Sequence, residues 1–491
     1  MRALALLWWA SWLPAAVFNV RDFGAAADGK SNDAAAIQRA IEAAARGGGV
    51  VYFPAGDYLS GTIVLRSNVT LHLAPGATLW GSRRMADYNP PHLIYAREAQ
   101  NIAIEGGGTI DGNGDAFWEA DFTPKRPRPS PLIELWGCRN VRLRDLTIRN
   151  APAWTIHPKN CDGVWIRGLS IINHMNGLNT DGIDPDSSRN VVISDCHIEA
   201  GDDCIVLKTT QRGEEPVRPC ENVTVSNCTL VSSASALKLG TESHADFRHC
   251  VFSNCVIRNS RTGIALLAKD GGTMEGVRFH NITIESWPKF GRGVEWPVTI
   301  DLERRGPESR LSRVRDVSFS DIRIYTRGRV LVGGLAERPV EDVSFSNVVM
   351  RVLGFEAIER AGKLRGGTAQ PVPREQDFGN RPAAFIFANA RGVQLQDVAV
   401  IWEAAGAAAE RHAIYAHNVE DLRVEGFTGR QAVPQGSLWV IALEDCRNVR
   451  VSGSRAAAGA GVFLQLRNTP AGEVSLEGND LRKAWPPGGL R

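Results

Sequence analysis

The stretch NVTVSNCTL (residues 222–230) is followed by CVFSNCVI (250–257) and GVRFHNITI (276–284), and all three carry one phrase. A short run alternates apolar and polar residues, an Asn breaks it, and a second short alternation follows. The same phrase stands earlier as NVRLRDLTI (140–148), GVWIRGLSI (163–171) and NVVISDCHI (190–198), and later as DVSFSDIRI (316–324), DVSFSNVVM (342–350) and GVQLQDVAV (392–400). Its turn residues are Asp145, Gly168, Asp195, Asn227, Asn254, Asn281, Asp321, Asn347 and Asp397, mostly 23 to 32 residues apart. A strand of period two buries one face only against another strand, so repeats of this length must stack on copies of themselves. Asn, Asp and Gly suit a bend that needs left-handed backbone, repeated in register. The pattern predicts an all-β fold, a single-stranded right-handed parallel β-helix with one coil per repeat. Hairpin turns of the N-G type, which a propeller or sandwich needs, are scarce.

Working outward, NDAAAIQRAIEAAARGGG (32–49) has helical spacing, Asn32 or Asp33 at its start and Gly47 at its stop. It predicts a helix capping the open end of the stack, where bare strand edges would recruit other chains. Residues 17–60 are expected to hold this cap and the first strands, and residues from about 350 to 491 less regular coils, within one domain spanning 17–491. Loop insertions are expected at Ala116–Pro131, Trp287–Arg313 and Phe355–Asn380, walling a groove. The first residues, MRALALLWWASWLPAA, combine Arg2, an apolar run from Leu4 to Leu13 and small residues, which reads as a signal peptide over 1–16. That places the protein in a secreted or periplasmic setting, with no stable membrane association after cleavage.

The 491 residues carry a formal net charge of +2, too small a field to favour nucleic acid. Nine cysteines lack zinc-type C-x-x-C spacing, and no metal or other cofactor is expected. Cys196, Cys228 and Cys255 each follow a turn residue and are expected to stack inside as small apolar residues. Cys204 and Cys220 are a possible disulfide beside the acidic region.

That region, NTDGIDPDSSRNVVISDCHIEAGDDC (179–204), carries seven acids against one base. Crowded carboxylates raise one another's pKa, so the cluster reads as catalytic, metal-binding or a solvated face. Asp181 falls on one coil and Asp202 and Asp203 on the next, about 4.8 Å away by strand spacing. Adjacent residues face opposite sides of a strand, so both Asp202 and Asp203 reach one surface only if the chain bends, which Gly201 permits. Glu199, Asp184, Asp186 and Asp195 are expected in turns and solvated positions.

NTDG (179–182) with GDDC (201–204) resembles the polygalacturonases of glycoside hydrolase family 28, a pectin lyase-like β-helix group. FNVRDFGAAADGKSNDAAAIQRAI, WTIHP (154–158) and IVLKT (205–209) are similar too, so the likeness covers most of residues 17–350. The resemblance implies that Asp202 is the general acid and that Asp181 and Asp203 hold the attacking water, giving inversion. It implies substrate-binding or orienting roles for Asn179, Lys208 and His157.

The likeness breaks at two places. The family's G-H-G motif is replaced by SASALKLGTES (233–243), with Ser235 at the His position, and its R-I-K motif by RTGIALLAKDGG (261–272), with Ala265 and Leu267 at the Arg and Lys positions. Lys238, Lys269 and Glu242 are candidate replacements for the substrate grip. Loop aromatics Trp118, Trp136, Trp154, Trp287 and Trp296 offer sugar-stacking faces. The expected activity is a monomeric secreted glycoside hydrolase on an acidic plant-type polysaccharide, pectin-like. The alternatives are a polysaccharide lyase on the same helix, or a non-catalytic carbohydrate-binding adhesin.

Overall fold

The computed structural model describes residues 16–288, 295–354, 378–403 and 410–485. Their strands join in parallel from coil to coil, as a β-helix requires. One inward register runs Val141, Val164, Val191, Val223, Cys250, Val277, Val317, Val343, Val393, Leu422, Val449 and Val474, each directly paired with the next. Two residues on, Phe252, Phe279, Phe319 and Phe345 stack with centroids 4.8, 5.1 and 4.7 Å apart. β-Branched and aromatic residues meet in such ladders without gaps, which is why the strand alternation dictates this interior. Every one of the repeat's turn residues has positive φ, from 51° at Asn281 to 66° at Gly168.

A helix, Ala34–Ala45, buries Ala36, Ile37, Ala40, Ile41 and Ala44 against the first coils. Its first N–H is taken by Asn32 Oδ1 (3.0 Å), while Asp33 turns back to accept from Ala26 and Ala27. The left-handed stop is Gly48 (φ 82°), one residue after Gly47. Of the expected signal peptide, 1–16, residues 1–15 lie outside the described residues. Of the expected loops, 116–131 is irregular, whereas Trp287–Arg313 contains the strand Trp296–Leu302, whose register continues the sheet. Most of the third, 355–377, lies outside the described residues. The C-terminal coils expected to be less regular keep the parallel register, Ala383–Trp402 pairing with His412–Glu425 through Gln396.

Cys204 and Cys220 are not bridged, and all nine cysteines are buried thiols. Each points at its own acceptor, Cys204 at Val231 O (3.2 Å) and Cys220 at Pro185 O (3.7 Å), on different parts of the coil. Cys196, Cys228 and Cys255 do form an interior ladder. Among the described residues, no helix is long and apolar enough to cross a membrane.

Candidate active site

The chain reaches the acidic region through one bend repeated on neighbouring coils. The turn after Ser170–Ile172 carries Asp181, and the turn after His197–Ala200 carries Asp202 and Asp203. Gly182 donates its N–H to Asp203 O at 2.9 Å, and a Cβ there would lie 2.5 Å from Cys204 O. A Cβ on Gly201 would lie 2.4 Å from His174 O and 2.5 Å from Gly177 O. Only glycine fits so close to backbone, and this packing is what turns both neighbouring aspartates to one side.

Asp181, Asp202 and Asp203 converge. One carboxylate oxygen from each lies within 4.8 Å of the others, with Asp202 half-buried and the other two buried. Asp202 accepts from the N–H groups of Asn179 (3.2 Å) and Asp203 (3.0 Å). Asp203 accepts on both oxygens, from Ser235 N–H (3.0 Å) and from Lys238 Nζ (2.7 Å). Asp181 Oδ1 is buried with no hydrogen-bond partner. Burial first, then the charge of Asp203, raises Asp202 above the usual carboxylate range. Burial and the nearby Asp202 and Asp184 raise Asp181 well above it, against the pull of Lys208. The cluster therefore holds a proton where isolated carboxylates are ionised. An inverting pair usually stands ~6.5–9.5 Å apart, so the observed convergence alone would read as the retaining class.

Lys238, read from the sequence as a candidate for the substrate grip, is a direct partner of the acids. Lys208 lies over the Trp154 ring (4.7 Å), 3.3 Å from Glu242 and 3.7 Å from Asp184. Burial opposes its charge, but Glu242, Asp184 and Asp181 raise it well above an ordinary lysine. Lys208 in turn lowers Glu242 to about 2. Lys269 pairs with Glu303 instead.

His157 does not line a subsite. It is completely buried between Glu134 (2.7 Å) and Asp186 (3.3 Å). Burial disfavours its charge, yet the two carboxylates raise it to about 9. Asp186 also takes Lys159 Nζ (3.1 Å) and the Thr210 N–H (2.9 Å). Asp184 and Asp186, expected at solvated turns, are fully buried. The signal for this was present: IHPK (156–159), IDPD (183–186) and IVLK (205–208) are one phrase on three coils, and their last residues pair as Lys159, Asp186 and Lys208. Both Asp184 oxygens lack hydrogen bonds, and burial lifts the group to about 7 despite Lys208 and His157. Arg128 went unread because it sits in the irregular segment TPKRPRPSP (123–131). It reaches over the Trp118 ring (4.6 Å) to Asn179 Oδ1 (3.3 Å) and Pro152 O (2.6 Å), and burial lowers it to about 10.

Residues 49–359 match the family described as glycosyl hydrolases family 28, well over half of the chain. The chain belongs to glycosyl hydrolases family 28. It is 30% identical over 294 residues to a probable polygalacturonase of Vitis vinifera, covering 54% of this chain and 60% of that protein. An endo-polygalacturonase of Pectobacterium carotovorum subsp. carotovorum is 26% identical over 322 residues, covering 59% and 77%. A hyperthermoactive exopolygalacturonase structure from Thermotoga maritima superposes with TM-score 0.60 and 25% identity, over 69% of this chain and 88% of that one. The chain spans 60 to 65% of the length of the first curated relatives it matches. Against the family-28 pattern, Ser235 leaves a backbone N–H on Asp203 where a histidine is expected, and Ala265 pairs beside Lys238 with no guanidinium.

Proposed function

We propose that this family-28 chain is an exported hydrolase of a pectin-type, uronate-containing polysaccharide, working by single displacement with inversion. The observation that carries the reading is the convergence of Asp181, Asp202 and Asp203 from neighbouring coils within 4.8 Å. Asp202 is the most accessible of the three and has a raised pKa, which suits it to protonate the leaving glycosidic oxygen. Asp203, held as an acceptor by Lys238 and Ser235, then deprotonates a water on the opposite face of the sugar, which Asp181 helps to position. Three acids share the site, so the water needs a gap only between Asp202 and the other two once substrate is bound. Lys208, over the Trp154 ring, and its partner Glu242 are the groups we assign to the sugar, a reading that their pairing beside the acids supports. Polygalacturonases among the relatives support a galacturonate-containing substrate. The altered Ser235, Ala265 and Leu267 positions favour a substrate gripped differently from plain homogalacturonan.

The test is incubation with homogalacturonan, rhamnogalacturonan and xylogalacturonan fractions, reading reducing ends, product mass and the first-formed anomer by NMR. Asp202→Asn should lower turnover by about 10²–10⁴-fold while substrate still binds. Unaltered turnover in Asp202→Asn, or a first-formed anomer of retained configuration, would refute the mechanism. A second reading rests on the same convergence, since three carboxylates so placed also suit a divalent cation. That would fit a lyase, whose unsaturated product absorbs in the ultraviolet and vanishes with chelator.

A further inference from the structure

On the N-terminal coils, away from the acids, a cavity of about 650 Å³ is lined by Lys30, Asp57, Trp80, Arg83, Arg84 and Asp87, among others. Its volume falls in the range of small-molecule binding sites, ~300–1,000 Å³. Its floor is rigid, because Leu59 and Trp80 project from two paired strands, Gly56–Ser60 and Ala77–Gly81. The Trp80 indole is fixed by a hydrogen bond to Asp57 Oδ1 (2.9 Å), with the Arg149 guanidinium 5.7 Å from the ring, and it stays half-exposed. Such a preset aromatic plate suits the apolar face of a sugar.

The polar lining selects charge. Lys30, Arg83 and Arg84 line it with Asp57 and Asp87, and a third acid, Asp115, pairs with Arg83 from outside, so Lys30 is the base that sets its charge. Arg84 pairs with Asp87 (2.9 Å) and Arg83 with Asp115 (2.9 Å), both guanidiniums largely in solvent. Both pairs are two-pronged, and Asp87 is largely buried and also bound by Ser82, so the two arginines are already engaged and Lys30 is the base left for a ligand carboxylate. Lys30 has no carboxylate partner among the described residues.

The cavity also lies in line with the acids. Trp80, Asp111, Arg149, Ile172 and Glu199 occupy one outward register on successive coils, and Glu199 stands three residues before Asp202. Four coil steps place the plate roughly 19 Å from the coil of Asp202 at about 4.8 Å per step. We infer that this cavity is a second, remote binding site for an acidic oligosaccharide, gripping a long chain upstream of the bond that is cut. The inference rests on the proposed function for the chain's continuity, while the Trp80 plate and Lys30 offer a stacking face and a cation to a uronate on their own.

The test uses the full-length Asp202→Asn protein, so that nothing is consumed. Calorimetric titration compares di- and octasaccharides of galacturonate, glucuronate and guluronate. Trp80→Ala and, separately, Lys30→Glu should each weaken binding of the preferred octasaccharide by about tenfold and leave the disaccharide unchanged, with melting temperatures unaltered. With Asp202 restored, both variants should lower kcat/KM on polymer but not on the shortest substrate. Octasaccharide binding indifferent to both variants, or failure of all three octasaccharides to bind, overturns the inference. If binding depends on Trp80 but no glycan is cleaved, the proposed hydrolytic activity fails and the remote site stands.

Discussion

Replacing His157 with Gln isolates the strongest electrostatic element under the site. The imidazolium is fully buried and moves from an ordinary 6.5 to about 9 because Glu134 and Asp186 outweigh its desolvation. At 1.36 kcal/mol per pH unit, that change corresponds to about 3 kcal/mol of folding free energy. A group whose pKa rises on folding stabilises fully below its unfolded value and loses that contribution as pH rises through the folded one. His157 should therefore stabilise the wild type by about 3 kcal/mol near pH 6, fading between about pH 6.5 and 9. The assay is urea unfolding followed by tryptophan fluorescence, for wild type and His157→Gln, at intervals from about pH 6 to 9.5. The expected result is a gap between the two proteins that is widest near pH 6 and closes as pH approaches 9.5. A gap of constant size would mean that the imidazole is neutral throughout, and the ion-network argument would be wrong.

Lys238→Met removes a cation 2.7 Å from the acids. A pair near 4 Å between charge centres is worth about 4 kcal/mol at an effective dielectric of 20, so the acid limb of the pH–kcat profile should move upward by about one to three pH units, and an unmoved limb would refute the role. Asp184 rises from 3.8 to about 7 on folding, which costs stability as pH climbs through that window. Asp184→Asn should therefore be more stable than wild type at pH 8 and indistinguishable near pH 3.5 by thermal melting; a destabilised variant at pH 8 would contradict the burial argument. All nine thiols should resist a thiol reagent in the native protein and react in denaturant, and melting should be unchanged by reductant.

Much of the helix was legible because its period is written in residues that have few other uses. Asn227, Asn254 and Asn281 announce a left-handed corner, and the valines and phenylalanines between them leave no second way to hide an alternating face. The three catalytic candidates could be placed for the same reason, since register carries Asp181 over to the next coil. Reading failed where depth is decided by what lies on top. His157, Asp184 and Asp186 sit on the side of their strands away from the core residues Ile156 and Ile183, where alternation says solvent. That side is nonetheless interior, with Glu134 bonded to His157 and Lys159 and Thr210 to Asp186, and no local pattern records it. Arg128 illustrates the converse, a residue of an irregular segment whose partners Asn179 and Pro152 lie 51 and 24 residues away. The ladder cysteines Cys196, Cys228 and Cys255 were legible, whereas Cys204 and Cys220, close in sequence beside the acids, are buried thiols aimed at separate carbonyls.

The repeated left-handed corners have an evolutionary corollary. They fix the pitch of the winding, and the inward residues fix its cross-section, so the outward positions between them are under no obligation to either. A histidine can become Ser235, or an arginine Ala265, with the scaffold unmoved. Such a protein can change its diet one side chain at a time and keep its skeleton.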